Sequence, residues 1–345
     1  MMRIQINLLL VLLAAFLAVS CEQASTSPAI VLEGKTMGTV WRVSMAGIDA
    51  GRKAALQQAI QHQLDADDAE LSTWKPDSTL SRFNQNSSSA PQPVSSNMAD
   101  IVTESLRIGN KTAGAMDITV GPLVNLWGFG PDKQPTQMPT EAQIVAARAQ
   151  TGLQHLRVIQ GVDGQWLQKD LPGLSVDLST VGEGFATDHL ARLMEQQGIN
   201  NYLVSVGGAV LSRGNNASGQ PWRVAIQKPT DRENAVQARV ALQGHGISTS
   251  GSYRNYYELD GKRISHVIDP LTGRPIEHKL VSATVIATTA LEADGWDTGL
   301  MVLGSEKAKA LAIKEQLAVY LISKQGDQFV SWMSPQFAAF LIKPE

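Results

Sequence analysis

One cysteine, Cys21, stands among 345 residues, so no intramolecular disulfide can form and a cysteine-built metal centre is not expected. Histidine offers no substitute. The six present, His62, His155, His189, His245, His266 and His278, lack the short spacings of a zinc site. Oxygen ligands remain, and with them Mg²⁺ or Ca²⁺. Charge of one sign is lacking too. The net charge is −3, with 29 basic and 32 acidic residues interspersed, so there is no basic footprint of a nucleic-acid-binding protein. No internal repeat is present, and low complexity is confined to residues 84–97 and 131–139.

Only one long apolar run occurs, at the start. Arg3 precedes apolar residues 8–17, and small residues lead to the cysteine in Ala18-Val19-Ser20-Cys21. The run is too short to span a bilayer comfortably, and the pattern is that of a bacterial lipoprotein signal peptide over residues 1–20. Acylation of Cys21 would tether the chain to a lipid membrane through a polar linker, residues 21–29. The expectation is a lipid-anchored domain, residues 30–345, in the bacterial cell envelope and facing the periplasm. Glu22 after the cysteine favours the outer membrane over the inner. An ordinary secretory signal with an incidental cysteine is the alternative. The remaining length suffices for one large domain or two interlocked ones.

Apolar spacing predicts helices over residues 52–71, 97–112, 141–150, 182–197, 290–303 and 306–315. Strands are predicted over 40–45, 156–159, 165–169, 174–178, 202–206, 222–226, 238–242, 246–250, 256–259, 265–268, 282–287, 318–323 and 329–332. Residues 174–178, the helix after them and 202–206 read as a β-α-β unit. The irregular alternation and the hairpin signals point to an α+β fold rather than a doubly wound parallel sheet.

The junction around Asp177 is the most informative segment. A helix opening near Gly182, with Ala186, Leu190, Leu193 and Met194 on its buried stripe, aims unpaired N–H groups at the turn before it. Such an end attracts phosphate. Yet this turn carries Asp177 and Glu183 and no Lys or Arg, so a phosphorylated guest needs a divalent cation beside it. A plain connection capped by Ser179 or Thr180 is the alternative. Further on, His266-Val-Ile-Asp-Pro-Leu-Thr-Gly273 gathers a potential base, an acid and turn residues; a structural turn is the competing reading. Asp294 and Thr298, four apart on a predicted helix, share one face and suit a hard cation, unless they are simply an exposed polar pair.

Other motifs fail. Gly34-Lys35-Thr36 lacks the upstream glycine and flanks of a P-loop, and Gly182-Glu-Gly184 lacks the rest of a dinucleotide fingerprint. Ser72-Thr-Trp-Lys75 matches the Ser-x-x-Lys of serine acyltransferases, but no Lys-Thr-Gly follows.

Several short segments acquire meaning together. These are Lys35-Thr-Met-Gly-Thr39, Ser72-Thr-Trp74 with Ser81-Arg-Phe-Asn84, Thr112-Ala-Gly-Ala-Met-Asp-Ile-Thr119 with Pro122, the Asp177 segment, Ser205-Val-Gly-Gly208, Thr249-Ser-Gly251, His266 to Gly273 and Ala293 to Thr298. In order and spacing they resemble the FAD:protein FMN transferases, the ApbE family, over nearly the whole chain beyond the linker. The resemblance implies a T-fold-like α+β domain of mixed, largely antiparallel sheets with flanking helices, taking FAD as substrate with Mg²⁺ as cofactor. It implies transfer of FMN through a phosphoester to a Thr or Ser of an acceptor protein, with release of AMP. Carried over residue by residue, it places Met37, Trp74, Ala115, Met116, Asp117, Asp177, Glu183 and Ile268 against the flavin nucleotide. The main-chain carbonyl of Thr180, with Asp294 and Thr298, would hold the metal, and His266 would be the base. Two residues depart from the pattern: many relatives have Lys at the position of Glu183 and Phe at that of Met116. Simple hydrolysis of FAD to FMN and AMP, or an FAD-binding lipoprotein without chemistry, are the competing functions.

Overall fold

The computed structural model describes residues 29–132, 134–230, 235–253 and 255–342. The signal segment and Cys21 therefore lie outside the described residues. Eight strands form the central sheet: β1 (Ile30–Thr36), β2 (Thr39–Met45), β3 (Tyr202–Val206), β4 (Ala209–Arg213), β5 (Gly246–Gly251), β6 (Leu280–Ala287), β7 (Ala318–Gln325) and β8 (Gln328–Met333). Their order across the sheet is their order in the chain, and every neighbouring pair is antiparallel. The fold is thus an α+β meander whose long excursions between strands carry most of the helices.

The helices are α1 (Lys53–Leu71), α2 (Thr79–Gln85), α3 (Ser96–Lys111), α4 (Gly121–Leu126), α5 (Glu141–Arg148), α6 (Gly182–Gln196), α7 (Ala290–Leu303) and α8 (Ser305–Lys314). Alternation along β2 buries Trp41, Val43 and Met45 against Leu56, Ile60 and Leu64 of α1 and Ala186, Leu190 and Met194 of α6. Leu193 of α6 is only half-buried, because it sits at the margin of the apolar stripe. A second cluster packs Ile101 and Ile108 of α3 and Trp296 and Leu300 of α7 on Val285 of β6 and Val319 of β7. Neighbouring Ile286 and Tyr320 turn to a third cluster, with Val240 and Phe337. A fourth, Leu123, Trp127, Ile144, Ile264 and Ile268 with Phe129 and Tyr257 beside it, lies behind the cleft described below.

Two predicted strands are corrected. Residues 174–178 run extended but join no sheet; a single parallel bridge pairs Ser175 with Val120. The apolar alternation of Leu174, Val176 and Leu178 records burial, which a strand and an extended segment share. The β-α-β unit therefore does not exist. Residues 265–268 are likewise divided: one strand ends at Ser265, another begins at Ile268, and His266 lies in the break. Strands β1 and β4 and helices α2 and α4 went unread, being short or lacking a strong period.

Between α1 and α6 lies a buried polar pair. His189 Nδ1 is 2.8 Å from Asp67 Oδ1, with side chains 7% and 2% exposed. Gln63 Nε2 donates to the same oxygen at 3.0 Å, and Asp67 Oδ2 is buried without a hydrogen-bond partner. Removing the imidazole would strand a desolvated carboxylate. His189→Ala is therefore expected to cost ~3–5 kcal/mol of stability, read by urea unfolding; a loss within experimental error of zero would show the pair to be dispensable.

Candidate active site

A cleft of about 450 Å³ opens where the start of α6, the middle of α7, the end of β5 and the loops at 115–120, 177–181 and 266–270 converge. That volume lies in the range of small-molecule sites, roughly 300–1,000 Å³. Five carboxylates line it, Asp117, Asp177, Glu183, Asp294 and Asp297, and no Lys or Arg is among the described lining residues.

Close packing brings the acids together. Gly184 on α6 lies against α7: a Cβ there would meet Ala290 O at 2.5 Å and Asp294 Cβ at 2.8 Å. The contact lets Gly184 N donate to Asp294 Oδ2 at 2.8 Å, while Ser248 Oγ of β5 donates to Oδ1 at 2.9 Å. One N–H of the helix end thus serves Asp294. Neither Ser179 nor Thr180 caps α6. Ser179 N donates instead to Asp177 Oδ1 at 2.8 Å, and Thr180 Oγ1 donates to Thr298 Oγ1 of α7 at 2.9 Å. The α7 terminus is fastened to α6 as well, since the Asp188 carboxylate accepts from Ala290 N at 2.8 Å and Leu291 N at 3.0 Å.

Glu183 has a definite anchor. Its Oε2 accepts from Gly208 N at 2.7 Å, and Gly207, at φ +53°, leaves no room for a Cβ beside the carboxylate. Asp117 accepts from Thr119 N at 2.7 Å and Thr119 Oγ1 at 2.6 Å.

The acids bear on one another. Burial, then the charge of Glu183, pushes the Asp294 carboxyl well above the usual range. Burial, then Asp294, does the same to Asp297. Burial also raises Glu183 and Asp117, against the hydrogen bonds from Gly208 and Thr119 respectively. Two unit charges ~4 Å apart interact by ~4 kcal/mol at an effective dielectric near 20, whereas a helix end supplies ~0.3–1 kcal/mol. The start of α6 cannot by itself reconcile such a cleft with a pyrophosphate.

Oxygen donors fit a hard dication here. Thr180, Asp294, Asp297 and Thr298 line one region of the cleft, and Asp297 Oδ2, buried within a residue 1% exposed, has no hydrogen-bond partner. An orphaned, crowded carboxylate of this kind is compensated by a cation. Among the described residues no three or more His, Cys, Asp or Glu are grouped for metal binding; beside the two aspartates the oxygens of this region come from the threonines Thr180 and Thr298.

Also in the lining, His266 Nδ1 lies 2.9 Å from Asn255 O. A carbonyl only accepts, so Nδ1 carries the proton and Nε2 keeps its lone pair. Burial lowers the pKa of the imidazole, against the bond to Asn255, which keeps it neutral near pH 7. Phe129 packs edge-on to the ring, 6.2 Å between centroids.

The expected site residues divide into two groups. Ala115, Asp117, Asp177, Thr180, Glu183, His266, Ile268, Asp294 and Thr298 line the cleft. Met116 does not: fully buried, it lies beneath α7, near Gly295 and Gly299, so its side chain packs the core. Met37, at φ +48°, turns the β1–β2 hairpin and is half-buried against the α1–α6 cluster. Trp74 is 63% exposed and outside the lining. Lys75 pairs with Asp68 at 2.7 Å, and Ser72 Oγ accepts from Trp74 N at 3.2 Å, so Ser72 and Lys75 form no acyltransferase pair. Unread from the sequence were Asp297, Ser248, Phe129 and Asn255. Only Asp297 carried a signal, its place beside Thr298.

The ApbE family model matches residues 37–321. The chain is 72% identical to the FAD:protein FMN transferase of Salmonella typhimurium (strain LT2), over 96% of each chain. It is 67% identical to that of Escherichia coli (strain K12), over 99% of each. The flavin transferase ApbE of Vibrio cholerae, 43% identical, superposes with a TM-score of 0.82 over 91% of this chain and 100% of that one. The flavinyl transferase ApbE of Pseudomonas stutzeri, 37% identical, does so with a TM-score of 0.81 over 90% and 96%. Acidic cleft, fold and sequence concur: the chain belongs to the ApbE family.

Proposed function

We propose that this chain is an FAD:protein FMN transferase, moving FMN from FAD onto a Thr or Ser hydroxyl of an acceptor protein. The observation that carries this reading is His266, whose Nδ1 is engaged by Asn255 O so that Nε2 is the nitrogen left to accept a proton, lining one cleft with Thr180, Asp294 and Thr298. The acceptor oxygen bonds to the FMN phosphorus as the bond from that phosphorus to the AMP oxygen breaks. The bridging oxygen leaves with its electron pair as part of AMP, and the hydroxyl proton passes to His266 Nε2. Asp117 and Asp177 are acceptor-only groups, suited to hydroxyl and ring N–H donors of the nucleotide. Ala115 and Ile268 offer it apolar surface. Met37 and Trp74, which lie outside the cleft lining, are retained as nucleotide contacts of this proposal. Mg²⁺ held by the Thr180 carbonyl, Asp294 and Thr298 would neutralise pyrophosphate charge and polarise the phosphorus.

Incubating the protein with FAD, Mg²⁺ and an acceptor domain bearing the target Thr is expected to give covalent flavin fluorescence on a denaturing gel, with matching AMP. Neither product would refute the reading; AMP at the same rate without acceptor would assign hydrolysis instead. A lipid tether at Cys21, in the periplasm-facing envelope, completes the proposal, supported by Arg3, apolar residues 8–17 and Ala18-Val-Ser-Cys21. Palmitate incorporation in cells should vanish in Cys21→Ser.

A further inference from the structure

Residues 174–178 deliver Asp177 to the cleft without belonging to a sheet. One edge is held by the 118–121 loop: Asp177 N donates to Ile118 O at 2.7 Å and Gly121 N to Ser175 O at 3.2 Å. At the other edge a side chain stands in for a strand. Asn84 of α2 donates from Nδ2 to Val176 O at 2.8 Å and accepts at Oδ1 from Val176 N at 2.7 Å. The period of two explains the division, with Val176 turned to Asn84 and its neighbours to the loop. Lys169, the last residue of the strand Gly164–Lys169, closes the arrangement. It is 1% exposed, and its Nζ donates to Asn84 O and Leu174 O, both at 2.9 Å. The same Nζ lies 5.3 Å from the centre of the Phe83 ring. Both hydrogen bonds go to neutral carbonyls, and burial lowers the ammonium pKa. A buried cation held this way is costly, so its position calls for an account beyond packing.

We propose that Asn84 and Lys169 are positioning residues for the nucleotide site, holding residues 174–178 on the path that sets Asp177. The inference rests on the transferase reading and deepens it. Neither residue lines the cleft; both act through main-chain atoms of the segment that does.

The test is Asn84→Ala and Lys169→Met, with His189→Ala as a control that destabilises the fold elsewhere. Flavin-fluorescence titration and steady-state transfer are run below the melting temperature of every variant. Both positioning variants should raise the FAD Kd and KM about tenfold or more, the factor that ~1.4 kcal/mol represents. kcat at saturating FAD should stay within about threefold, since nucleotide placement is weakened while His266 is untouched. His189→Ala should keep wild-type FAD affinity despite its lower melting temperature. Wild-type affinity in both positioning variants, a loss no larger than in the control, or failure of both to fold would overturn the inference. A wild-type protein that neither binds FAD nor transfers FMN would overturn the transferase reading itself, and is recognised without any variant.

Discussion

Asp294→Ala is expected to lower the kcat/KM for FMN transfer by ~10³-fold or more, the scale of the several kcal/mol a bound metal contributes to a transition state. The fold should survive. Asp294 is buried beside Glu183 and Asp297, and burial together with the Glu183 charge raises its carboxyl pKa. Removing it relieves repulsion among acids. Against that, Gly184 N and Ser248 Oγ lose their acceptor, at ~1–3 kcal/mol for each donor left dry. The two effects oppose each other, so metal-free stability should change little while function is lost. Thermal unfolding with and without Mg²⁺ separates them. A ligand bound only by the native state adds ~2.7 kcal/mol at a hundredfold excess over its Kd. The wild-type melting temperature should therefore rise with Mg²⁺ and the variant's should not. Equal Mg²⁺ responses, with equal transfer, would remove Asp294 from the site.

For His266→Ala the expected loss is in kcat, ~10²–10⁴-fold, the span typical of general acid–base catalysis. FAD affinity should hold within a few-fold, because the imidazole is assigned to the acceptor hydroxyl. The pH profile supplies the sign. Only neutral imidazole accepts a proton, and burial depresses the His266 pKa below its ordinary value. At saturating Mg²⁺, which favours the ionised form of Asp294, wild-type transfer should be on a plateau near pH 7 and fall on the acid side, below the ordinary histidine value of about 6.5. The variant should lose that limb. Measuring kcat/KM across the acid range checks this, and an unchanged limb in His266→Ala would assign the titration to another group.

What could be read locally was read well. The α6 and α7 helices follow from apolar spacing, and Asp294 and Thr298 share a cleft-facing side because four residues are close to one helical turn. Extended segments were the weak point. Residues 174–178 carry the alternation of a strand, yet their hydrogen bonds go to a loop and to the Asn84 side chain. No pattern within five residues reveals which partner an N–H will find. Met116 shows the same limit: its motif neighbours Ala115 and Asp117 line the cleft while Met116 points beneath α7.

The sequence by itself determined the element types over most of the chain, the shortage of soft metal ligands and the acidic, cation-poor character of the Asp177 turn, since composition and short-range periodicity are local properties. Only the tertiary structure decided that Ser248 and Gly184 hold Asp294, and that Asn255 sets the tautomer of His266. The two bonds to Asp294 cross 110 and 46 residues and the one to His266 crosses 11, and they arise because buried polar groups must be satisfied by whatever the packed chain brings within about 3 Å.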